Sequence, residues 1–250
     1  MLLHITLSPT THKPAGRAIL CLLCALMALS WSCSNTSVKS GPETAWTELF
    51  DGSDLSQYRI FAFPDANMDR WSAKDGTLNL AARAEGSKSK VDLIITTKPV
   101  GDFEFSFEWN ISAGGNGGIF YMVKDDPKYT KPWHTGLEMQ LLDNAGHDEG
   151  QIQTHRSGDL YDIIASNKDT TKSAGEWNHS RIVRRGNEVE QWMNGNLAVS
   201  FTIGSDEWNQ LVSKSKYVDW PEFGKVDSGH IILQDHGDQI AFRNLKLREL

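Results

Sequence analysis

The chain has 250 residues, with 32 acidic against 25 basic side chains and a formal net charge of −7 at neutral pH. That balance argues against a nucleic-acid partner, because phosphate backbones are held by clustered Lys and Arg. Cys21, Cys24 and Cys33 are the only cysteines, so everything beyond position 33 has no thiol for a disulfide, a thiolate metal site or a cysteine nucleophile and must be held together by core burial. Nine Trp, with many Asn, Asp and Gln, suit carbohydrate recognition, in which rings stack on sugar C–H faces and amides bond hydroxyls; the same aromatics also suit the core of a β-sandwich.

Residues 1–32 read as an export signal. Lys13 and Arg17 precede the apolar run from Ala18 to Trp31, which contains no acidic residue and is too short for a membrane span. Ser30-Trp31-Ser32-Cys33 is similar to the signal of bacterial lipoproteins, in which the cysteine becomes the lipidated N-terminus. On that reading Cys33 is acylated and residues 33–44 are a polar tether to a membrane; ordinary signal-peptidase cleavage is the alternative. No acidic run follows Cys33, which points to a periplasm-facing anchor of an exported lipoprotein.

Residues 45–250 form one domain rich in short strands. Trp46 to Phe50 opens it, and Trp71 to Leu80 is a hairpin turning on Asp75-Gly76. Leu93 to Thr97 is a strand ended by Pro99. Phe103 to Trp109 alternates strictly, with four aromatics on one face and Glu104, Ser106 and Glu108 on the other. Strands follow at Ile119 to Val123, Leu137 to Leu142, Trp177 to Arg184, Glu188 to Met193 and Leu197 to Ile203, the last two joined by Asn194-Gly195, and Glu207 to Ser213 is a short helix. This spacing predicts an all-β antiparallel sandwich or jelly roll. The connection from Thr154 to Ala174 is long, and long loops are often functional.

Three stretches carry candidate chemistry. Gly114-Gly115-Asn116-Gly117-Gly118 has no phosphate-loop context, so its glycines signal close backbone approach. In Leu137 to Leu142 the apolar residues take one face, and Glu138 and Gln140 take the other, about 7 Å apart. A retaining glycosidase needs two carboxyls about 5–5.5 Å apart, and here the second position is an amide. The third stretch, Gly229 to Arg248, reads as a hairpin turning on Asp235-His236-Gly237-Asp238, with a bulge near Arg243-Asn244 that shifts the phase of the second strand. His134, His147 and His155 lack metal-ligand spacing, so no metal and no cofactor is expected.

Taken in order, G-G-N-G-G-I-F-Y, W-H-T-G-L-E-M-Q-L-L-D-N, S-G-D-L-Y-D, G-E-W-N, V-E-Q-W-M-N-G, G-H-I-I-L-Q-D-H-G and F-R-N-L-K-L resemble the 3-keto-disaccharide hydrolase family over about Trp46 to Leu250. Gly117 and Met122 depart from the family pattern, which commonly has Ser at the first position and Arg at the second. The resemblance implies a concanavalin-like jelly roll and cleavage of glycosides already oxidised at C3, releasing 3-keto-glucose by acid–base chemistry. It implies Glu138 as acid/base, with His236 second and Asp235 orienting it. Gln140, Gln234 and Arg243 are expected to bind sugar oxygens, and Asn116, Tyr121, His155 and Tyr161 to form the cleft wall. Strand parity together with the resemblance implies that Glu138, Gln140, Gln234 and either His236 or Arg243 line one concave cleft. The alternative on the same fold is a non-catalytic carbohydrate-binding module.

Overall fold

The computed structural model describes residues 44–250; Cys33, the export segment and nearly all of the tether lie outside the described residues. The strands in chain order are β1 (Thr47–Glu48), β2 (Arg59–Ile60), β3 (Trp71–Lys74), β4 (Thr77–Leu80), β5 (Leu93–Ile94), β6 (Phe103–Ile111), β7 (Asn116–Val123), β8 (Leu137–Leu142), β9 (Asn178–Arg185), β10 (Glu188–Met193), β11 (Asn196–Thr202), β12 (His230–Leu233) and β13 (Ile240–Glu249). One short helix, α1 (Asp206–Val212), is capped by Ser205, whose hydroxyl accepts from the Trp208 amide. The strands make two antiparallel sheets, one ordered β11-β10-β9-β6-β13-β4-β3 with β1 paired to β13, the other ordered β2-β5-β12-β7-β8. This is the predicted jelly-roll sandwich.

The core between the sheets follows from period-2 patterning. Phe103, Phe105, Phe107 and Trp109 on β6 are fully buried and face Ile119, Tyr121, Leu137, Met139, Leu141, Ile231 and Leu233 of the smaller sheet. Phe105 and Phe107 stack with ring centroids 4.8 Å apart, and the Trp109 indole N–H donates to Ser180 Oγ at 2.9 Å inside the core. The predicted turns have the backbone that their residues favour: Asp75-Gly76 and Asn194-Gly195 both take positive φ.

The C-terminal stretch departs from expectation. Gly229 to Arg248 is not a hairpin: β12 lies in the smaller sheet between β5 and β7, whereas β13 lies in the larger one between β6 and β4. The turn residues 235–238 therefore cross from one sheet to the other. The bulge does occur, as a register shift on β13 between Arg243 and Lys246 with Asn244 at positive φ. Its extra residue returns the strand to phase, so Ile240, Phe242, Leu245 and Leu247 all reach the core despite their mixed parity. A second bulge on β7 puts Met122 at positive φ and turns it into the same core, beside Tyr121.

The outward face of the smaller sheet is also covered. A second apolar cluster of Phe61, Ile94, Phe120, Val123, Tyr129 and Ile232 occupies one part of it. The remainder carries the polar residues described below. Because β6 supplies the largest contiguous aromatic contribution to the core, Phe107→Ala is expected to lower the unfolding free energy by about 3–5 kcal/mol, measured by denaturant titration; a loss below 1 kcal/mol would show that the site refills.

Candidate active site

β8 places Glu138 and Gln140 on the outward face of the smaller sheet, and both are buried. Across the strand pair, Gly118 of β7 is level with Gln140, and a Cβ there would come within 2.8 Å of Glu138 Oε1 and 3.0 Å of Gln234 Oε1. The glycine thus makes room for the site's own carboxyl and amide. Gln234, just past β12, donates from Nε2 to Glu138 Oε1 at 2.7 Å. Gln140 donates from Nε2 to Asn116 Oδ1 at 3.3 Å, and the Asn116 amide donates to Asp238 Oδ2 at 3.0 Å. Gln140 Oε1, Gln234 Oε1 and Asn116 Nδ2 are buried without a partner. Buried polar atoms are almost always bonded, so these two acceptors and one donor are left for water or for a polar group of a ligand.

The free edge of β8 is closed by the long connection after it. The Tyr161 amide donates to the Glu138 carbonyl at 3.0 Å and the Gln140 amide to the Asp159 carbonyl at 3.1 Å, bringing the Tyr161 ring over the face. Lys216 and Tyr217 come from the segment after α1; the Lys216 ammonium lies 4.1 Å from the Tyr161 ring centroid and 5.2 Å from that of Tyr217. Trp133 enters from the turn before β8, with the Lys90 ammonium 5.7 Å from its ring centroid. Together Lys90, Asn116, Trp133, Glu138, Gln140, Tyr161, Lys216, Tyr217, Gln234 and His236 line one small cleft of about 110 Å³.

Burial pushes the Glu138 carboxyl up to about 8, against the smaller opposing pulls of the Lys216 ammonium and the Gln234 hydrogen bond; Asp92 and Glu149 add to the rise. Glu138 is therefore a neutral acid at pH 7. His236, exposed at the rim, is held below its ordinary value of 6.5, first by partial desolvation and then by the Lys90 ammonium. It is a neutral base at the same pH. Two titratable groups driven apart in this way within one cleft are matched to acid and base roles.

Of the sequence-predicted residues, Glu138, Gln140, Gln234, His236, Asn116 and Tyr161 converge here. His155 lies behind Tyr161, stacked on it with centroids 4.2 Å apart, and contacts Glu149 and Asp162, each at 3.3 Å. Three residues lie elsewhere. Asp235 does not orient His236: it is fully buried, bound by Arg70 and by the Val91 amide, and consecutive residues on an extended chain point opposite ways. Arg243 belongs to the other sheet, paired with Glu108 at 2.7 Å and lying 4.1 Å over the Trp177 ring. Tyr121 faces the core, where its hydroxyl accepts from Gln191 Nε2 at 2.9 Å. Sequence reasoning missed Lys90, Trp133, Lys216 and Tyr217, which lie on irregular connections and have no pattern of their own; the Trp beside His134 just ahead of the carboxylate strand was the one available signal. Among the described residues, no group of three His, Cys, Asp or Glu side chains is placed to hold a metal ion.

A two-sheet jelly roll with a buried carboxyl, paired amides and aromatic walls on its outward face defines a small-molecule-binding sandwich. Its family follows from comparison: a family model described as a 3-keto-alpha-glucoside-1,2-lyase-like domain matches residues 45–248, and the chain belongs to that family. A 3-keto-disaccharide hydrolase from Bacteroides thetaiotaomicron is 29% identical over 226 residues, covering 81% of this chain and 77% of that protein. A crystal structure from Parabacteroides distasonis, described as that of a glycosyl hydrolase, is 30% identical with a TM-score of 0.74, covering 82% of this chain and 94% of the other. A second protein from the same organism, described in the same way, is 26% identical with a TM-score of 0.62, covering 82% of this chain and all of the other.

Holding a carboxyl in this environment affects stability with a definite sign. The Glu138 carboxyl rises from 4.5 to about 8 on folding. Between those values the unfolded chain binds fewer protons than the folded one, so the contribution of Glu138 is greatest below about 4.5 and is lost as pH rises toward 8. Glu138→Gln is expected to match the parent near pH 4.5 and to exceed it by about 1–3 kcal/mol at pH 8, read from denaturant midpoints across that range; equal stability at pH 8 would count against the raised carboxyl.

Proposed function

We propose that this protein is a glycosidase-like enzyme that cleaves 3-keto-glycosides and releases 3-keto-glucose by elimination followed by hydration. The observation that carries the reading is the convergence of a neutral acid, Glu138, and a neutral base, His236, on one cleft with unpartnered amide groups. The lyase named in the family description and the hydrolase named for the Bacteroides relative support the same substrate class. A binding module would need an aromatic platform and hydrogen bonds, but not a buried carboxyl that costs stability at neutral pH.

The chemistry follows from the ketone. A C3 carbonyl acidifies the proton at C2, and a base removes it to give an enolate. The electrons then form the C1–C2 double bond while the C1–O bond breaks toward the leaving group, which takes a proton from an acid. Water adds to C1 of the enone and a proton returns to C2, giving 3-keto-glucose. His236, neutral and at the rim, takes the C2 proton. Glu138 accepts from Gln234 on one oxygen, and its other oxygen donates to the departing glycosidic oxygen. The Lys216 ammonium, close enough to influence Glu138, stabilises the negative charge on O3 as the enolate forms. Asn116, Gln140 and Gln234 bond the ring hydroxyls.

Incubation of the domain with 3-keto-trehalose or an aryl 3-keto-glucoside is expected to release 3-keto-glucose, with the unoxidised glycosides inert; folded protein that leaves several 3-keto linkages intact would refute the proposal. The pH profile of kcat/KM is expected to be bell-shaped, rising as His236 loses its proton below 6.5 and falling as Glu138 ionises near about 8. Glu138→Gln should lower kcat by about 10²–10⁴-fold and remove the alkaline limb. A profile flat through pH 8 in the parent would separate Glu138 from the proton transfer.

Gly118 offers a second test, at a residue that does no chemistry. A methyl group there would displace Glu138 and Gln234, and an error of about 1 Å in an active site costs about a hundredfold in rate. Gly118→Ala should fold normally by circular dichroism and lose about that factor in kcat/KM; near-parental activity would show that the carboxyl position is not critical.

A further inference from the structure

Two lysines are among the side chains that line the cleft. Among its ten lining residues the ionisable side chains are Lys90, Glu138, Tyr161, Lys216, Tyr217 and His236. At pH 7 Glu138 is neutral by burial, His236 is neutral, and burial raises both tyrosines further above neutrality. Lys90 and Lys216 remain as the charges in the lining, a surplus of positive charge in a chain of net charge −7. The nearby carboxylates Asp92, Glu149 and Asp238 offset part of it. Asp235 is committed to Arg70, and Glu149 contacts His155 and Tyr161. Asp92, whose carboxyl burial raises to about 6, is still ionised at pH 7; it accepts from the Asp235 amide and, as a buried anion, already interacts with Lys90 and Lys131.

Lys216 is accounted for by the enolate. Lys90 is not. Its ammonium lies 5.7 Å from the Trp133 ring centroid, and a second ammonium, that of Lys131, lies 5.6 Å from the same centroid. Among the described residues neither makes an ion pair within 4.0 Å. Two ammonium groups without an ion-pair partner lie against one indole, Lys90 and Trp133 being in the cleft lining, and an anionic group of a ligand held on that indole interacts favourably with both. The indole supplies a flat face for an apolar or aromatic body carrying the anion.

We propose that Lys90, Lys131 and Trp133 form the subsite for the leaving group, and that the preferred substrates are 3-keto-glycosides whose aglycone carries an anionic group, such as a carboxylate, on a planar or apolar body. The proposal rests on the function given above, and its test separates the two. A matched pair of aryl 3-keto-glucosides is needed, one with a 4-carboxymethyl and one with a 4-carbamoylmethyl substituent; the methylene keeps the leaving-group acidity alike. The parent protein is expected to favour the carboxylate by about tenfold or more in kcat/KM, with the preference falling as salt is raised. In Lys90→Met/Lys131→Met, which keeps the apolar stems on Trp133, the ratio should fall toward one. Cleavage of both substrates with a parent ratio near one, or a preference that survives the double substitution, overturns the subsite while leaving the proposed function intact. If neither substrate is cleaved the proposed function fails, and calorimetry with free 4-hydroxyphenylacetate and 4-hydroxyphenylacetamide still decides the subsite. Tighter binding of the acid, lost in the double variant, supports it; equal binding overturns it.

Discussion

The constraint on which the site depends is the buried carboxylate of Asp235. It sits at the point where the chain leaves the smaller sheet for the larger one, with no solvent exposure. Arg70 donates to it, Arg83 lies 3.6 Å away, and the Val91 amide donates to it at 2.9 Å. Its own amide donates to Asp92 at 2.7 Å, the preceding Gln234 amide donates to the Gly118 carbonyl, and the Arg83 amide donates to the Gly237 carbonyl. A buried charge is tolerated only when paired and bonded in this way. The knot fixes two chain segments at once. Gln234 and His236, its neighbours, are held on the opposite side from Asp235, facing the cleft. The segment bearing Val91 and Asp92 is held with Lys90 at the rim.

Asp235 therefore affects the site without taking part in its chemistry. Adjacency in sequence to His236 suggested a catalytic pair, but alternation along an extended chain separates neighbours onto opposite faces. The carboxylate anchors the backbone from behind while the imidazole projects forward. Gly118 plays a comparable supporting part, since the space it leaves is filled by Glu138 and Gln234.

The electrostatics of the cleft set stability against use. Glu138 is kept neutral by burial beside a carboxamide and two aromatic hydroxyl rings, and the folded state becomes less favourable as pH rises toward its ionisation near about 8. The cleft also carries a histidine whose imidazole is disfavoured in its charged form. The positive charge that remains at the surface of the cleft comes from lysines on connections, where long stems can position an ammonium over an aromatic face without a paired carboxylate.

Sequence alone determined the sandwich, its strands and much of the site. Strict alternation in Phe103 to Trp109 and in Leu137 to Leu142 specifies which side chains enter the core, because successive residues on a strand face opposite ways. Glu138 and Gln140 followed directly from that parity, and Asp75-Gly76 and Asn194-Gly195 marked their turns through positive φ. Only the tertiary structure decided what parity cannot see. A hairpin and a crossover between sheets read alike over Gly229 to Arg248, since local pattern does not say which strand pairs with which. The β7 bulge carried Met122 into the core, and Tyr121 stayed there too, while the β13 bulge brought Leu245 and Leu247 back to it; Arg243 stayed on the far sheet. Lys90, Trp133, Lys216 and Tyr217 reach the cleft along loops whose side-chain directions depend on contacts distant in sequence. The fold was legible because burial follows a period; the cation content of the cleft was not, because a lysine on a loop acquires its role only from what packs around it.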